Sequence, residues 1–551
     1  MAEARTTTQG LKTIVAASAA GTTFEWYDFF IFGTLIAIIT KNFYAGVGDT
    51  LGTILALATF AVGFIARPIG ALVFGHIGDK KGRKGTFLYT ILVMGLATIA
   101  IGFLPTYKQV GVIAPLLLIG LRIVQGFALG GEYGGAAIYV AEHAPANKRG
   151  GYTGWIQTSA AFGLISALLV ILVTRTLVGE AVFSDWGWRI PFIVSSGLLA
   201  VSVYIRAKTA ESPAFQALHE EGRIAKSPLS EVFTRWRSLK GMLIALFGFM
   251  TAQGVIWYTA FFYTQVFLDK IVHLDPQQMN LLIMGMTLVS AFLYITFASL
   301  SDRIGRKPVM IFGMALACAF FFPGFHMLMK YGNPDLEAAS KASPVYVVAD
   351  PAQCHFQLDL TGTAQFTSPC DLAKSVVTGA GVPYVSHAAP AGMPTATIQI
   401  GAKSIAIASG QGLDKAGIKA LKTKATGDVK AALKAAGYPD KADPKKANLW
   451  VMFGVLCVLA VACTALYGPM ASALVEMFPT RVRYTAMSIP YNIGTGWFGG
   501  LQPALSFAMI AASGDIYFGL WYPVITGVVA VVVSLLFLKE THGRDLHSIE
   551  E

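Results

Sequence analysis

Apolar stretches of about 20 residues recur along most of the chain, and each is long enough to cross roughly 30 Å of hydrocarbon as a helix. In lipid every backbone amide needs an internal partner, so such a chain folds as helices packed on helices. Polar breaks divide it into twelve expected spans, at 15–40, 51–74, 86–104, 111–143, 151–178, 188–206, 241–268, 277–299, 308–330, 449–478, 484–512 and 516–538. The 551 residues are 54% hydrophobic and 13% charged, where a soluble domain carries about 25% charge. This excludes a disordered chain, a basic nucleic-acid-binding protein and an ordinary soluble enzyme. No cleavable leader is expected, because the polar N-terminus runs straight into a full-length span.

The net charge of +11 reads as topology. With a cytoplasmic N-terminus, the inner loops 75–85, 144–150, 206–240, 300–308 and 479–484 hold 18 Lys and Arg, and the short outer loops hold four. By the positive-inside rule both termini are cytoplasmic. The chain also repeats itself. GHIGDKKGRK (75–84) matches ASLSDRIGRK (298–307), aligning Asp79 with Asp302 and Arg83 with Arg306 at an offset of 223 residues. AEHAPANKR (141–149) matches VEMFPTRVR (475–483), aligning Glu142 with Glu476 and Arg149 with Arg483 at an offset of 334. The difference of 111 residues is an addition to the second half, and the polar stretch 331–448 accounts for it. The expected architecture is therefore all-α: a six-helix half at 1–206, a central cytoplasmic loop at 207–240, and a second half at 241–330 and 449–551. Parallel six-helix repeats are a recurring plan of secondary transporters.

These motifs resemble the major facilitator superfamily over about 1–330 and 449–551. The loop pattern Gly75, Asp79, Gly82, Arg83, Lys84 is the family's, it returns in the second half, and LRIVQG (121–126) accompanies it. GTTFEWYDFFIFG (21–33), ARPIGALVFGHIGD (66–79), GFALGGEYGGAAIYVAEHAP (126–145), DWGWRIPF (185–192) and AESPAF (210–215) are similar to the metabolite:proton symporter branch. That branch takes up α-ketoglutarate, citrate, shikimate, dicarboxylates, proline or betaine. The resemblance implies proton-coupled symport of a small organic acid by alternating access. The alternatives are a proline/betaine osmoprotectant carrier and a transporter-like membrane sensor. Span 5 lacks the Gly-Pro pair of antiporter branches, which favours symport or uniport over drug efflux. An inner (plasma) membrane protein of a bacterium is implied, probing no nucleic acid, monomeric, driven by the proton gradient and without a cofactor or metal.

Charges inside a span cost several kcal/mol and need a partner, a cavity or a task. Span 1 carries Glu25 and Asp28, three apart and on one face. Glu25 and Arg67 of span 2 lie at similar depth, roughly 15 and 12 Å by the helical rise, which predicts a contact from Glu25 or Asp28 to Arg67. Span 4 adds Arg122 and Glu132. A guanidinium grips a carboxylate bidentately, which makes Arg67 and Arg122 candidate substrate residues. A carboxyl in a dry cavity can carry a proton, which suits Asp28, Glu25 and Glu132. The alternative for the set is a group of buried ion pairs locking spans 1, 2 and 4. Arg189 is either an outer-vestibule arginine or an interfacial anchor beside Trp186 and Trp188. Tyr258, Gln157, Asn492 and Trp497 are candidate cavity-wall residues, with helix packing as the alternative. The resemblance makes Asp79, Arg83, Glu142 and Arg149, with Asp302, Arg306, Glu476 and Arg483, a gating latch at the inner face. The glycines of span 4 read as a close-packing surface.

The added segment holds 12 Lys, nine acids and no Arg. On the outer side, Cys354 and Cys370 stand in an oxidising compartment and form a candidate disulfide. PVYVVAD (344–350) and ATIQIGAKSIAIA (396–408) look strand-like, and 414–437 reads as one or two helices interrupted near Gly427. A small α+β extracytoplasmic domain is expected between spans 9 and 10. His355 and His387 are too isolated for a metal site.

Overall fold

The computed structural model describes residues 8–45, 49–208, 210–357 and 366–546. Both chain ends, and with them the expected placement of the termini, lie outside the described residues. The first half is α1 (Thr8–Thr34), α2 (Ile36–Phe43), α3 (Asp49–Lys81), α4 (Arg83–Phe103), α5 (Ile113–His143), α6 (Arg149–Val178) and α7 (Arg189–Ala207). The second begins with α8 (Trp236–Lys270), α9 (Pro276–Ile304) and α10 (Arg306–Gly332). After the inserted domain, with its helices α11 to α13, it continues as α14 (Leu449–Met477), α15 (Arg483–Asn492), α16 (Gln502–Ser513) and α17 (Phe518–Phe537). Among the described residues nine helices are long and apolar enough to cross a membrane, or ten if α1 and α2, bent by 63°, are one span. The two other expected spans fall on α3 and on α15 with α16. The latter pair is separated by a π-helical stretch, Ile493–Gly499, where the glycine-rich run IGTGWFGG loosens the helix.

The repeat seen in the sequence has a backbone cause. Gly82 and Gly305 adopt φ of 113° and 101°, a region open to glycine, and each ends one helix and starts the next. A Cβ on Gly82 would also meet the Glu211 carboxylate at 2.4 Å, and one on Gly305 would meet Glu540 at 2.5 Å. Those acids cap the helices that follow: Glu211 accepts from the amides of Arg83 and Lys84, and Glu540 from those of Arg306 and Lys307.

The span-4 glycines sort by what they face. A Cβ on Gly126 would lie 2.1 Å from the Gly63 carbonyl oxygen, and one on Gly130 would lie 2.1 Å from that of Arg67, so these two seat α5 on α3 within one half. Gly134 and Gly135 face Tyr484 and Ser488 of α15, in the other half. Gly126→Ala is expected to force the backbones of α3 and α5 apart at a cost of about 1–3 kcal/mol. The readout is a lower melting temperature of the detergent-purified protein; an unchanged value would remove the close-packing role.

The inserted domain comprises α11 (Pro334–Ala342), β1 (Val345–Ala349), α12 (Pro369–Gly379), β2 (Tyr384–Ala388), β3 (Thr395–Ile400), β4 (Lys403–Ala408) and α13 (Lys415–Ala435). Its sheet has the order β2-β1-β3-β4, with β1 and β2 parallel and the remaining pairs antiparallel. Val345, Val347, Ile398, Ile400 and Ile407 are buried, as are Val376 and Val377 of α12 and Val429 and Leu433 of α13. The strand-like segment at 396–408 is a hairpin of β3 and β4 turning at Gly401, whose φ is 55°. Strand β2 has no counterpart in the expectations, because its residues are largely exposed and carry no apolar alternation. Helix α13 runs unbroken through Gly427, since one interior glycine costs only about 1 kcal/mol in an Ala/Lys-rich helix. Cys354 and Cys370 are disulfide-bonded.

The domain rests on the second half. Tyr384 donates its amide to Gly514, and Lys374 donates to the Ala512 carbonyl at 3.0 Å. His273 contacts the Ala380 carbonyl, and Asn333 donates to Val272. Burial pushes the Lys374 amine below the ordinary lysine range, with Asp371 opposing.

Candidate functional site

Helix α1 places Glu25 and Asp28 on one face, and the structure then separates their surroundings. Asp28 is buried and accepts from Gln125 Nε2 at 3.0 Å on both oxygens, while Arg122 stands 3.9 Å away. Gln125 joins the group together: it receives from Arg122 Nη1 at 2.7 Å and donates to Thr98 at 2.8 Å. The Arg122 guanidinium lies 4.3 Å from the centre of the Phe32 ring. Of the two acids expected near Arg67, Asp28 is corrected here, because α5 rather than α3 supplies the arginine at its level. Neither Glu25 nor Asp28 makes an ion pair with Arg67 among the described residues.

Glu25 is 6% exposed, its Oε2 has no hydrogen-bond partner, and Arg67 is the cation acting most strongly on it. Arg67 is half-buried, with its Nε likewise unpartnered and its guanidinium 4.8 Å from the Phe64 ring centre. Rings from the two halves meet around this pair. Trp26 and Trp257 lie 5.5 Å apart, Phe29 and Phe262 6.1 Å, and Phe64 and Tyr258 6.3 Å. Tyr258 therefore belongs to the aromatic wall.

Glu132 has a partner that the sequence reading missed. Arg206 of α7 donates to it at 2.8 Å, and Thr90 donates at 2.8 Å, so this acid is held in a buried ion pair within the first half. Gly21 leaves room for the guanidinium: a Cβ there would sit 1.6 Å from Arg206 Nη2. In the sequence Arg206 stands at a loop boundary, where it reads as a topology charge.

Gln157 donates to the Tyr133 hydroxyl at 2.7 Å. Asn492 donates to the Gly130 carbonyl at 3.0 Å across the two halves, and its Oδ1 is unpartnered. Trp497 is 46% exposed. Arg189 donates to the Leu104 carbonyl and lies over the ring of the buried Trp188.

At the basic end of the bundle the eight charged motif residues meet reciprocally. Asp79 accepts from the amides of Tyr484 and Thr485 at 3.0 and 2.8 Å, capping α15 of the other half. Asp302 accepts from Gly150 and Gly151 at 2.8 and 2.7 Å, capping α6 in return. Arg483 donates to Glu142 at 2.6 Å, and Arg149 donates to Glu476 at 2.8 Å. Arg83 pairs with Asp79 and approaches Glu142; Arg306 pairs with Asp302 and Glu476. The segment 540–546 threads this cluster. Thr541 donates to Glu476, and the carbonyls of Arg544 and Leu546 accept from Arg149 and Arg483. Among the described residues no group of three or more His, Cys, Asp and Glu side chains is placed to hold a metal. His355, read as isolated, is bonded to Asp371 at 2.8 Å.

A family model described as "Sugar (and other) transporter" matches residues 13–232, 216–348 and 429–551, leaving most of the inserted domain outside. The proline/betaine transporter of Escherichia coli K12 is 27% identical over 546 residues, 97% of this chain and 85% of that protein. The shikimate transporter of the same strain is 36% identical over 317 residues, 56% of this chain and 71% of that protein. Its inner membrane metabolite transport protein YhjE is 35% identical over 328 residues, 59% and 74% of the two chains. Among solved structures, the proton:xylose symporter XylE of the major facilitator superfamily, bound to 6-bromo-6-deoxy-D-glucose, superposes with a TM-score of 0.59 at 16% identity, covering 98% of both chains.

Proposed function

Since the chain belongs to the sugar (and other) transporter family of the major facilitator superfamily, a family of membrane transporters rather than enzymes, we propose that it is a proton-coupled importer of a small carboxylate-bearing solute. The observation that carries this reading is the pair Glu25 and Arg67, with unpartnered polar atoms in an apolar, ring-lined interior. A buried carboxyl and a half-buried guanidinium kept from each other's hydrogen bonds are costly unless something else engages them. In this proposal Arg67 grips the solute carboxylate and Glu25 takes up the proton. Asp28, Arg122 and Gln125 brace α1 against α5, and Glu132 with Arg206 braces α5 against α7.

The spans number twelve on this reading, with α3 as the second and α15 with α16 as the eleventh. The basic end is cytoplasmic and the inserted domain extracytoplasmic, in a bacterial inner membrane. The reciprocal latch then closes the cytoplasmic side, so that each cycle breaks and remakes it. A second reading, a zwitterion such as proline or betaine, draws on the rings around Arg67: Trp26, Trp257, Phe64 and Tyr258 suit a quaternary ammonium.

The test is uptake of labelled shikimate, α-ketoglutarate, citrate, proline and betaine into proteoliposomes under an imposed inside-alkaline pH gradient. Accumulation of one of them that a protonophore collapses is the expected result. Accumulation indifferent to the protonophore would overturn the coupling, and uptake of betaine alone would select the second reading.

A further inference from the structure

Among the buried tyrosines that this mechanism leaves unused, two meet across the halves. Tyr133 of α5 and Tyr491 of α15 are 3% and 6% exposed, and their rings stack with centroids 3.8 Å apart and planes 4° from parallel. Tyr133 lies ten residues before the end of α5 and Tyr491 eight residues after the start of α15. That places both roughly 12–15 Å from the basic end at the helical rise. Arg67, fourteen residues before the end of α3, lies roughly 21 Å from it. The stack therefore stands between the Glu25–Arg67 cluster and the charge latch.

How the two hydroxyls are held is the informative part. Tyr133 accepts from Gln157 of α6, in its own half, at 2.7 Å. Tyr491 shares a hydrogen bond of 3.3 Å with Tyr467 of α14, again in its own half. Tyr467 packs edge-on against Tyr294, 5.6 Å away, whose hydroxyl accepts from Trp257 of the aromatic wall. Parting of the halves separates ring from ring, yet leaves each of these hydroxyls with its partner. A contact that breaks without orphaning a buried polar group is cheap to open, unlike the ion pairs below it.

We propose that Tyr133 and Tyr491 are the thin inner gate of the translocation path, and that Gln157 and Tyr467 are positioning residues that hold the two rings face to face. The proposal rests on the transport reading above. When the halves part at the basic end, the stack opens and the site by Glu25 and Arg67 gains its exit.

The experiment reads the gate without any solute. The full chain, reconstituted with a trapped pH-sensitive dye, is tested for proton leak after an acid pulse to the face bearing the inserted domain. Removing a ring in Tyr491→Ala or Tyr133→Ala is expected to raise the leak about tenfold, the worth of a stacked pair in the closed-to-open ratio. Tyr491→Phe keeps the ring and is expected to leak less than threefold above the parent. Gln157→Ala is expected to fall between, and Gln157→Asn to restore most of the barrier. Parent-like leak in both alanine variants would overturn the proposal, as would a Tyr491→Phe leak equal to that of Tyr491→Ala. If an alanine variant does not fold, the Tyr491→Phe and Gln157→Ala comparison decides alone: equal leaks overturn the proposal and the expected order supports it. Because no solute is present, a carrier that accumulates none of the tested solutes fails the transport reading while this result stands.

Discussion

Glu25→Gln is expected to abolish gradient-driven accumulation while leaving exchange of solute across the membrane in place. Glutamine keeps the volume and a carbonyl oxygen but cannot take up and release a proton. One pH unit is worth about 1.4 kcal/mol per proton, so a single coupled proton drives about tenfold accumulation per unit of gradient. In the variant that ratio should fall to one, while counterflow of labelled solute against unlabelled persists. Asp28→Asn should behave differently. Asp28 is tied to Gln125 and Arg122, and its loss leaves a buried guanidinium without its acid, a change that costs stability rather than coupling. Undiminished accumulation by the Glu25→Gln protein would take the proton from Glu25 and return it to the other acids.

Glu476→Gln is the second large effect. Its carboxylate receives Arg149 from the first half and Arg306 and Thr541 from the second. Removing that charge leaves two buried arginines facing each other, a loss of about 3–5 kcal/mol in the latched state. Once the halves part Arg149 is hydrated, so the penalty falls mainly on the closed form. The equilibrium should move toward the open basic end by about 10²-fold or more. Labelling of the buried Cys463 by an impermeant maleimide, in vesicles exposing the basic end, measures the shift. The double variant Arg149→Gln, Glu476→Gln should recover much of the closed population, since the uncompensated cross-half charge is gone. No change in labelling would mean that the latch does not hold the state.

Much of this was legible in the amino-acid order because the physics involved is local. Apolar runs set the helices, and a duplicated loop with the same Asp, Gly and Arg exposed the two halves. The motif glycine is required at both copies by its backbone conformation. The partners of each charge were not legible, because helix adjacency decides them. Depth alone offers Arg67 to either Glu25 or Asp28, whereas for Asp28 the glycine-lined approach of α5 delivers Arg122 and Gln125. Asp79 and Asp302 stand out as the repeated motif acids, but nothing local says that each caps a helix of the opposite half. Glu211 lay in a quoted motif, AESPAF, and Glu540 has only its place after the last span to mark it. Tyr133 sits in a glycine-rich run that draws attention to packing and away from its ring.

The inserted domain, bonded to 272–273 and 511–514 of one half, has a practical consequence. Membrane proteins of 58.8 kDa are hard to orient in electron micrographs when little mass projects from the bundle. Here a folded, disulfide-closed body projects from one half, and it supplies a native fiducial. An antibody fragment raised against the exposed strand β2 would enlarge it, and class averages sorted by its tilt would order particles along the transport cycle.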